Sequence, residues 1–204
     1  MANVNFAELR ASLRDCVEFC REHEDRSYCE RFLPKIEDAL DSLQESKRES
    51  DASYAEWRAE RRGRRKAWKE LSKQLKEAQR KLDGINAVGF PTEEVRYWDE
   101  DRLQEIVEEM RGYLDARTDA IDFAEDLSDR LQRKLDAAID ETDDEYGAVD
   151  SYSRQAKLRS KAFGSAVQVL SDFREALREE LGQDHPEYTE IRWPYTVAPD
   201  DTTL

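Results

Sequence analysis

Residues 54–82 read YAEWRAERRGRRKAWKELSKQLKEAQRKL, and this stretch decides the fold. Its apolar side chains recur at alternating steps of three and four residues, with arginine in two of the places. This spacing is typical of the seam along one face of a packed helix. The seam positions are Tyr54, Trp57, Arg61, Arg64, Trp68, Leu71, Leu75, Ala78 and Leu82.

A second stretch, VDSYSRQAKLRSKAFGSAVQVLSDFREAL at 149–177, repeats this pattern about 95 residues later. Its matching positions are Val149, Tyr152, Ala156, Arg159, Phe163, Ala166, Leu170, Phe173 and Leu177. Upstream, an apolar stripe from Cys29 to Leu43 matches one from Ala124 to Ala138 in the same register. The sequence therefore predicts a tandem repeat with an offset of about 95 residues.

Each repeat is predicted to be a long helical hairpin followed by a proline-containing segment. Helices are expected at 5–47, 51–82, 99–140 and 144–181. The first is interrupted near 23–27 and is kinked or divided at Pro34, whereas the acidic run 140–144 forms a turn. Gly84 and Gly182 are stop signals.

Two such hairpins can bury their apolar stripes against each other. The predicted fold class is all-α, an elongated antiparallel four-helix bundle built from a tandem-duplicated long helical hairpin. We expect one domain over 1–195, with repeats at about 5–98 and 99–195, and a disordered tail at 196–204. The alternative keeps the hairpins apart and pairs each with another subunit.

The composition narrows the class of protein. There are 48 acidic and 33 basic residues, so the net charge is −15. No apolar run reaches the length of a membrane span, and the N-terminus lacks the basic and apolar regions of a secretory signal. Three cysteines are an odd number, which favours a reducing compartment, and we expect a cytoplasmic protein without a cofactor.

Four residues near the N-terminus have side chains that could ligate zinc: Cys16, Cys20, His23 and Cys29. Three thiolates and an imidazole would be a legitimate ligand set. However, the two leading cysteines also continue an apolar stripe, and cysteine commonly packs in cores as a small apolar residue. We therefore expect no metal, with zinc as the alternative.

A basic segment with flanking tryptophans lies at 57–69. Its cations could pair with acids on neighbouring helices, bind an acidic protein partner or track a phosphate backbone. The net charge of −15 disfavours nucleic acid. Arginine also occupies seam positions where apolar residues are expected, and there it sets register if a carboxylate meets it. The seam arginines are Arg64, Arg117 and Arg159.

Two proline-aromatic segments, at 90–98 and 185–197, are expected to cap the apolar stripes. The second is rich in β-formers and could instead dock on a partner as an extended peptide. The candidate contact residues in the basic segment and this second segment are Trp57, Arg58, Arg61, Arg62, Arg65, Trp68, Ile191, Trp193 and Tyr195.

The sequence offers few groups of residues that could act together in catalysis. The chain has two histidines, 162 positions apart (185 − 23), and no glycine-rich phosphate loop or nucleophile elbow. We therefore predict a non-enzymatic helical adaptor or assembly protein that docks a helix face on a protein partner, with a homodimer as a further expectation. The alternative is an acidic decoy that mimics nucleic acid and occupies a nucleic-acid-binding protein. An enzyme with carboxylate-bound metal is a weaker third hypothesis.

Overall fold

The computed structural model describes residues 5–85, 87, 89–92, 95–182, 185–191 and 193. These residues form long helices that pack against each other, and no strand occurs among them. The helices are α1 (Phe6–Glu22), α2 (Ser27–Asp83), α3 (Glu100–Asp115), α4 (Ala124–Leu181) and α5 (Pro186–Glu190). The all-α class is confirmed. The predicted tail lies outside the described residues.

Capping residues set several of these helix ends. Asn5 begins α1 with a capping box, in which its side chain accepts from the Ala7 amide at 3.1 Å and Glu8 reaches back to the Asn5 amide. The predicted interruption near 23–27 is confirmed, because α1 ends at Glu22 and α2 begins at Ser27. Gly182 follows α4 with φ of 85°, a conformation that favours glycine.

Pro34 does not divide the helix, since α2 continues through it without a break. The predicted turns between 47 and 51 and at 140–144 are wrong, because α2 and α4 are continuous there over 57 and 58 residues. Neither stretch contains glycine or proline, and acidic side chains are compatible with a helix. The four-helix bundle, which required these turns, is not confirmed, nor is the tandem duplication.

A break that the sequence reading missed separates α3 from α4. The predicted helix 99–140 stops at Asp115 and resumes at Ala124. Turn hydrogen bonds bridge the gap: the amides of Ala120 and Ile121 both donate to the carbonyl of Arg117 at 2.9 Å.

The chain forms two compact units, each with its own core. The first unit comprises Met1–Ala52 and Ser153–Leu204, and the second comprises Ser53–Tyr152. The expectation of one domain stays a prediction. The first core contains Leu9, Leu13, Cys16, Val17, Phe19, Cys20, Tyr28, Cys29, Phe32, Ile36, Leu43, Ala166, Leu170, Phe173, Ala176, Leu177, Tyr188 and Ile191. The second contains Trp68, Leu71, Leu75, Ala78, Leu82, Val95, Leu103, Ile106, Val107, Met110, Leu114, Ile121, Ala124, Leu127, Leu131, Leu135 and Ala138.

The C-terminal part of each predicted apolar stripe is buried. However, neither packs against the helix of its own predicted hairpin. In the second unit, the stripe from Leu71 to Leu82 packs with α3 and with the start of α4. In the first unit, the matching stripe from Ala166 to Leu177 packs with α1 and with the start of α2. Each core therefore joins the first half of one predicted repeat to the second half of the other.

Three residues of the second proline-aromatic segment, Tyr188, Ile191 and Trp193, pack within the first unit. Phe173 is fully buried there, and its ring centroid lies 5.5 Å from that of Phe32 and 6.2 Å from that of Trp193. The Tyr188 hydroxyl accepts a hydrogen bond from Arg174 Nε at 2.7 Å. Burial of such rings contributes on the order of 2–3 kcal/mol each.

The continuity of α4 across the acidic run can be tested at Asp143, which is exposed. Asp143→Pro should lower the free energy of unfolding by about 3 kcal/mol or more, because proline removes a helical hydrogen bond and clashes with the preceding turn. Asp143→Ala, the control, should change it by less than about 0.7 kcal/mol. Urea unfolding followed by circular dichroism measures both. Equal midpoints for the two variants would contradict the continuous helix.

Candidate functional site

An aromatic cluster in the second unit joins α2 to α4. It consists of Tyr54, Trp57 and Tyr152, whose ring centroids lie 5.3–5.8 Å apart. Trp57 stacks on Tyr152 with an interplanar angle of 6°, and the Arg61 guanidinium lies 5.5 Å above the Trp57 ring. The cluster is only partly buried, since Tyr54 is 41% exposed. It therefore presents aromatic edges beside arginine.

Arg64 is the electrostatic centre of this region. Its Nε and Nη2 donate to the two oxygens of Glu100 at 3.0 and 2.7 Å, and Nη1 donates to Glu145 Oε2 at 3.0 Å. The hydrogen bond to Glu100 is the largest influence on Arg64 and raises its pKa. Such two-pronged pairing fixes the orientation of the guanidinium. The carboxylates that the seam interpretation of Arg64 required are present, and the register-setting role stays a prediction.

The other two seam arginines have different surroundings. Arg117 lies beyond the end of α3 and is exposed, with its guanidinium 3.9 Å above the Tyr113 ring. Its assignment to a helix seam is therefore wrong, because the helix has already ended at Asp115. Arg159 is half-buried in the first unit and lies 5.7 Å above the Phe6 ring.

Four cations of the basic segment form an exposed row, Arg58, Arg62, Arg65 and Lys69, which we call the cation stripe. Within the described part of the chain, no carboxylate lies within 4.0 Å of any of them. Aromatic rings lie under its two ends: Arg58 is 5.8 Å from the Tyr54 ring and Lys69 is 4.9 Å from the Tyr97 ring. Arg61, beside the stripe, reaches Glu145 at 4.0 Å.

Trp68 differs from its predicted role as a surface contact. It is 3% exposed, belongs to the second core and donates from Nε1 to the Thr142 hydroxyl at 3.0 Å. Trp98, by contrast, is 65% exposed, and we did not predict it as a contact. Trp98 lies in the first proline-aromatic segment, 90–98, where we expected tryptophan to cover the apolar stripe, and its exposure shows that this expectation is wrong for Trp98.

A groove of about 470 Å³ lies in the second unit, and it includes Trp57 of the aromatic cluster, the Arg64 network and Arg65 of the cation stripe. Aromatic and cationic side chains form most of its wall, and the carboxylates of the Arg64 network contribute the acidic part. The lining residues are Trp57, Arg61, Arg64, Arg65, Trp68, Tyr97, Trp98, Glu100, Glu145 and Val149.

The C-terminal contact candidates are not part of this groove. Ile191 is 5% exposed and belongs to the first core, and Trp193 packs against the same core. The Trp193 indole also donates to the Tyr188 carbonyl at 3.2 Å. The first unit therefore occupies both side chains itself. Tyr195 lies outside the described residues.

The three cysteines are buried as free thiols in the first unit. Burial raises the pKa of the Cys16, Cys20 and Cys29 thiols. The His23 ring lies 4.6 Å from the Phe19 ring at the end of α1. No three histidine, cysteine or carboxylate side chains in the described residues are placed to hold one ion, so the zinc alternative gains no support.

Comparisons with protein-family models, with curated proteins and with solved structures find no match. None of the described helices combines the length and the apolar composition that a membrane span requires. The chemistry of the groove and the cation stripe therefore carries the functional proposal.

The Arg64 network can be tested for its contribution to folding. Arg64→Ala should lower the free energy of unfolding by about 2 kcal/mol, because it leaves the buried Glu145 carboxylate without its main cation. Arg65→Ala, at the exposed neighbour, should change it by less than about 0.5 kcal/mol. Adding Glu145→Gln to Arg64→Ala should restore part of the loss. Urea midpoints measure these effects, and equal midpoints for the two single variants would contradict a structural role for Arg64.

Proposed function

We propose that this protein is a non-enzymatic adaptor or assembly component that binds a protein partner through the groove and cation stripe of its second unit. The observation that carries the proposal is the association of exposed aromatic rings with arginines on one surface. Trp98, which is 65% exposed, lines the groove together with three arginines. Tyr54, which is 41% exposed, packs against Trp57 of the same groove with ring centroids 5.5 Å apart. Tryptophan, tyrosine and arginine are the residue types that dominate binding energy at protein interfaces.

The geometry supports binding by a preformed surface. Stacking holds the Trp57 ring on Tyr152, and two carboxylates hold the Arg64 guanidinium. Binding of a partner would therefore cost little conformational entropy at these side chains, because they are already ordered. The proposal includes a cytoplasmic location, which the three free cysteines support. Self-association into a homodimer stays a prediction that sedimentation across a dilution series would test.

A photo-crosslinking amino acid at position 66 tests the proposal, because the Lys66 side chain is exposed beside the cation stripe and does not belong to it. In nuclease-treated native lysate, we expect a discrete cross-linked protein whose yield falls when unlabelled wild-type protein competes. The same residue at exposed position 154 of α4 serves as the control. Indistinguishable cross-linking from the two positions would count against a binding surface on this face of α2.

A second candidate, the acidic decoy, is favoured by the exposed carboxylates of α3 and the first part of α4. These include Glu105, Glu108, Glu109, Glu125, Asp126 and Asp129. Rows of exposed carboxylates can occupy the phosphate-binding surface of a nucleic-acid-binding protein.

The decoy makes a separate prediction at α3. Replacing Glu108 and Glu109 by lysine should abolish capture of a nucleic-acid-binding protein, while circular dichroism shows an unchanged helix content. Both side chains are exposed, so the fold should tolerate the change. Capture that persists in the double variant would remove the decoy hypothesis, and the control is Glu108→Gln with Glu109→Gln.

A further inference from the structure

The cation stripe shows what kind of partner would fit, and this inference rests on the function proposed above. Its four members follow one another at steps of four, three and four residues. At 100° per residue, they fall within a sector of about 60° and extend over about 16 Å of α2. All four are exposed. The stripe is therefore a single straight row of positive charge.

Carboxylates of the same unit neutralise the inner cations but not the stripe. Arg64 is paired with Glu100 and Glu145, and Glu145 is also the nearest acid to Arg61. In the described residues, the stripe has no corresponding acid within 4.0 Å. Its charge is thus available to a ligand.

The helix itself does not require this charge. In the second stretch of the sequence, the positions 95 residues later are occupied by Ser153, Lys157, Ser160 and Gly164, which are also exposed. These four positions carry one cation, whereas the four positions of the stripe all carry one. Like charges four residues apart destabilise a helix by about 0.2–0.5 kcal/mol per pair. The repulsion among the cations of the stripe is therefore unfavourable in the free protein, and an acidic ligand would relieve it.

The surroundings favour a short acidic segment over a nucleic acid. A long polyanion would also meet the exposed carboxylates of α3 and α4 in the same unit, which repel it. Trp57 is stacked on Tyr152, which closes one face of each of these two rings to bases, whereas Trp98 is 65% exposed. A carboxylate suits the stripe because guanidinium groups bind it through two parallel hydrogen bonds.

We propose that Arg58, Arg62, Arg65 and Lys69 bind an acidic helical segment of a partner protein whose carboxylates repeat at the same steps of four, three and four residues. This series reads the same in both directions, so the partner helix matches the stripe in parallel or antiparallel orientation. The neighbouring groove receives apolar side chains of the same segment beside Trp98 and Tyr97.

The test uses fluorescence anisotropy with the full chain and two labelled alanine-based helical peptides of equal composition. One carries glutamate at positions 1, 5, 8 and 12, and the other distributes four glutamates around the helix. We expect the wild-type protein to bind the first peptide at least about fivefold more tightly than the second. A labelled single-stranded oligonucleotide of similar length is the third probe.

Variants locate the binding. Combined Arg58→Ser, Arg62→Ser and Arg65→Ser should weaken binding of the first peptide by at least about tenfold. The matched control combines Arg154→Ser, Lys157→Ser and Lys161→Ser, which removes the same charge from exposed positions of α4 in the first unit. It should bind within about twofold of wild type. Circular dichroism confirms that both triple variants remain folded.

Several results would overturn the inference: equal affinity for the two peptides, an unaffected stripe variant, tighter binding of the oligonucleotide, or a homodimer that the stripe variant abolishes. If neither peptide binds but position 66 still cross-links one protein, the acidic-segment inference fails and the adaptor proposal stands. If cross-linking at position 66 also matches the control, the proposed function fails as well.

Discussion

Most of the stability of a helix in a protein comes from packing of its apolar face, so the two helices of 57 and 58 residues depend on the burial of one face each. In each compact unit, the apolar stripe of a long helix packs against shorter helical segments. In the second unit, the fully buried Leu71 and Leu82 pack in a core that includes Ile106 and Met110 of α3. Removal of these stripes from water is the constraint from which the other features follow.

Burial of one face also determines where the charges of α2 are placed. Adjacent residues on a helix point about 100° apart, so Arg64 and Arg65 differ in their exposure and in their partners. Arg64 is only partly exposed and meets two carboxylates, whereas Arg65 belongs to the exposed stripe. The same segment thus contributes an internal ion-pair network and an outer row of cations. Composition alone does not distinguish these two roles.

The sequence predicted which side chains are buried better than what they are buried against. Periodicity identified Leu71, Leu75 and Leu82, because a helical face has a fixed spacing whatever its partner. It did not identify the packing partner, since the acidic run 140–144 looked like a turn and charges alone do not end a helix. In the predicted repeat, the break after Asp115 would be the counterpart of the break at 23–26, but no glycine or proline marks it.

The candidate site was predictable only in part, for a related reason. The basic segment was visible as composition, and the exposed positions within it follow from the helical period once the buried face is known. Trp68 lies on the seam with Leu71 and Leu75, so the helical period indicated burial, and its choice as a surface contact went against that pattern. Trp98 could not be sorted in this way, because aromatic residues serve cores and interfaces equally well. Trp98 follows α2 in an irregular segment, where period gives no guidance, and its exposure emerges only from the tertiary structure.

Among the residues that the structure describes, no acid lies within 4.0 Å of the cation stripe, and this affects how the protein responds to ionic strength. Added salt screens the repulsion among its four cations, and it also screens the excess of negative charge that the chain carries, so the folded state should gain stability. The same screening weakens attraction between exposed charges and any oppositely charged ligand. Ionic strength therefore acts with opposite signs on the folding of the protein and on the capacity of this face to hold a partner.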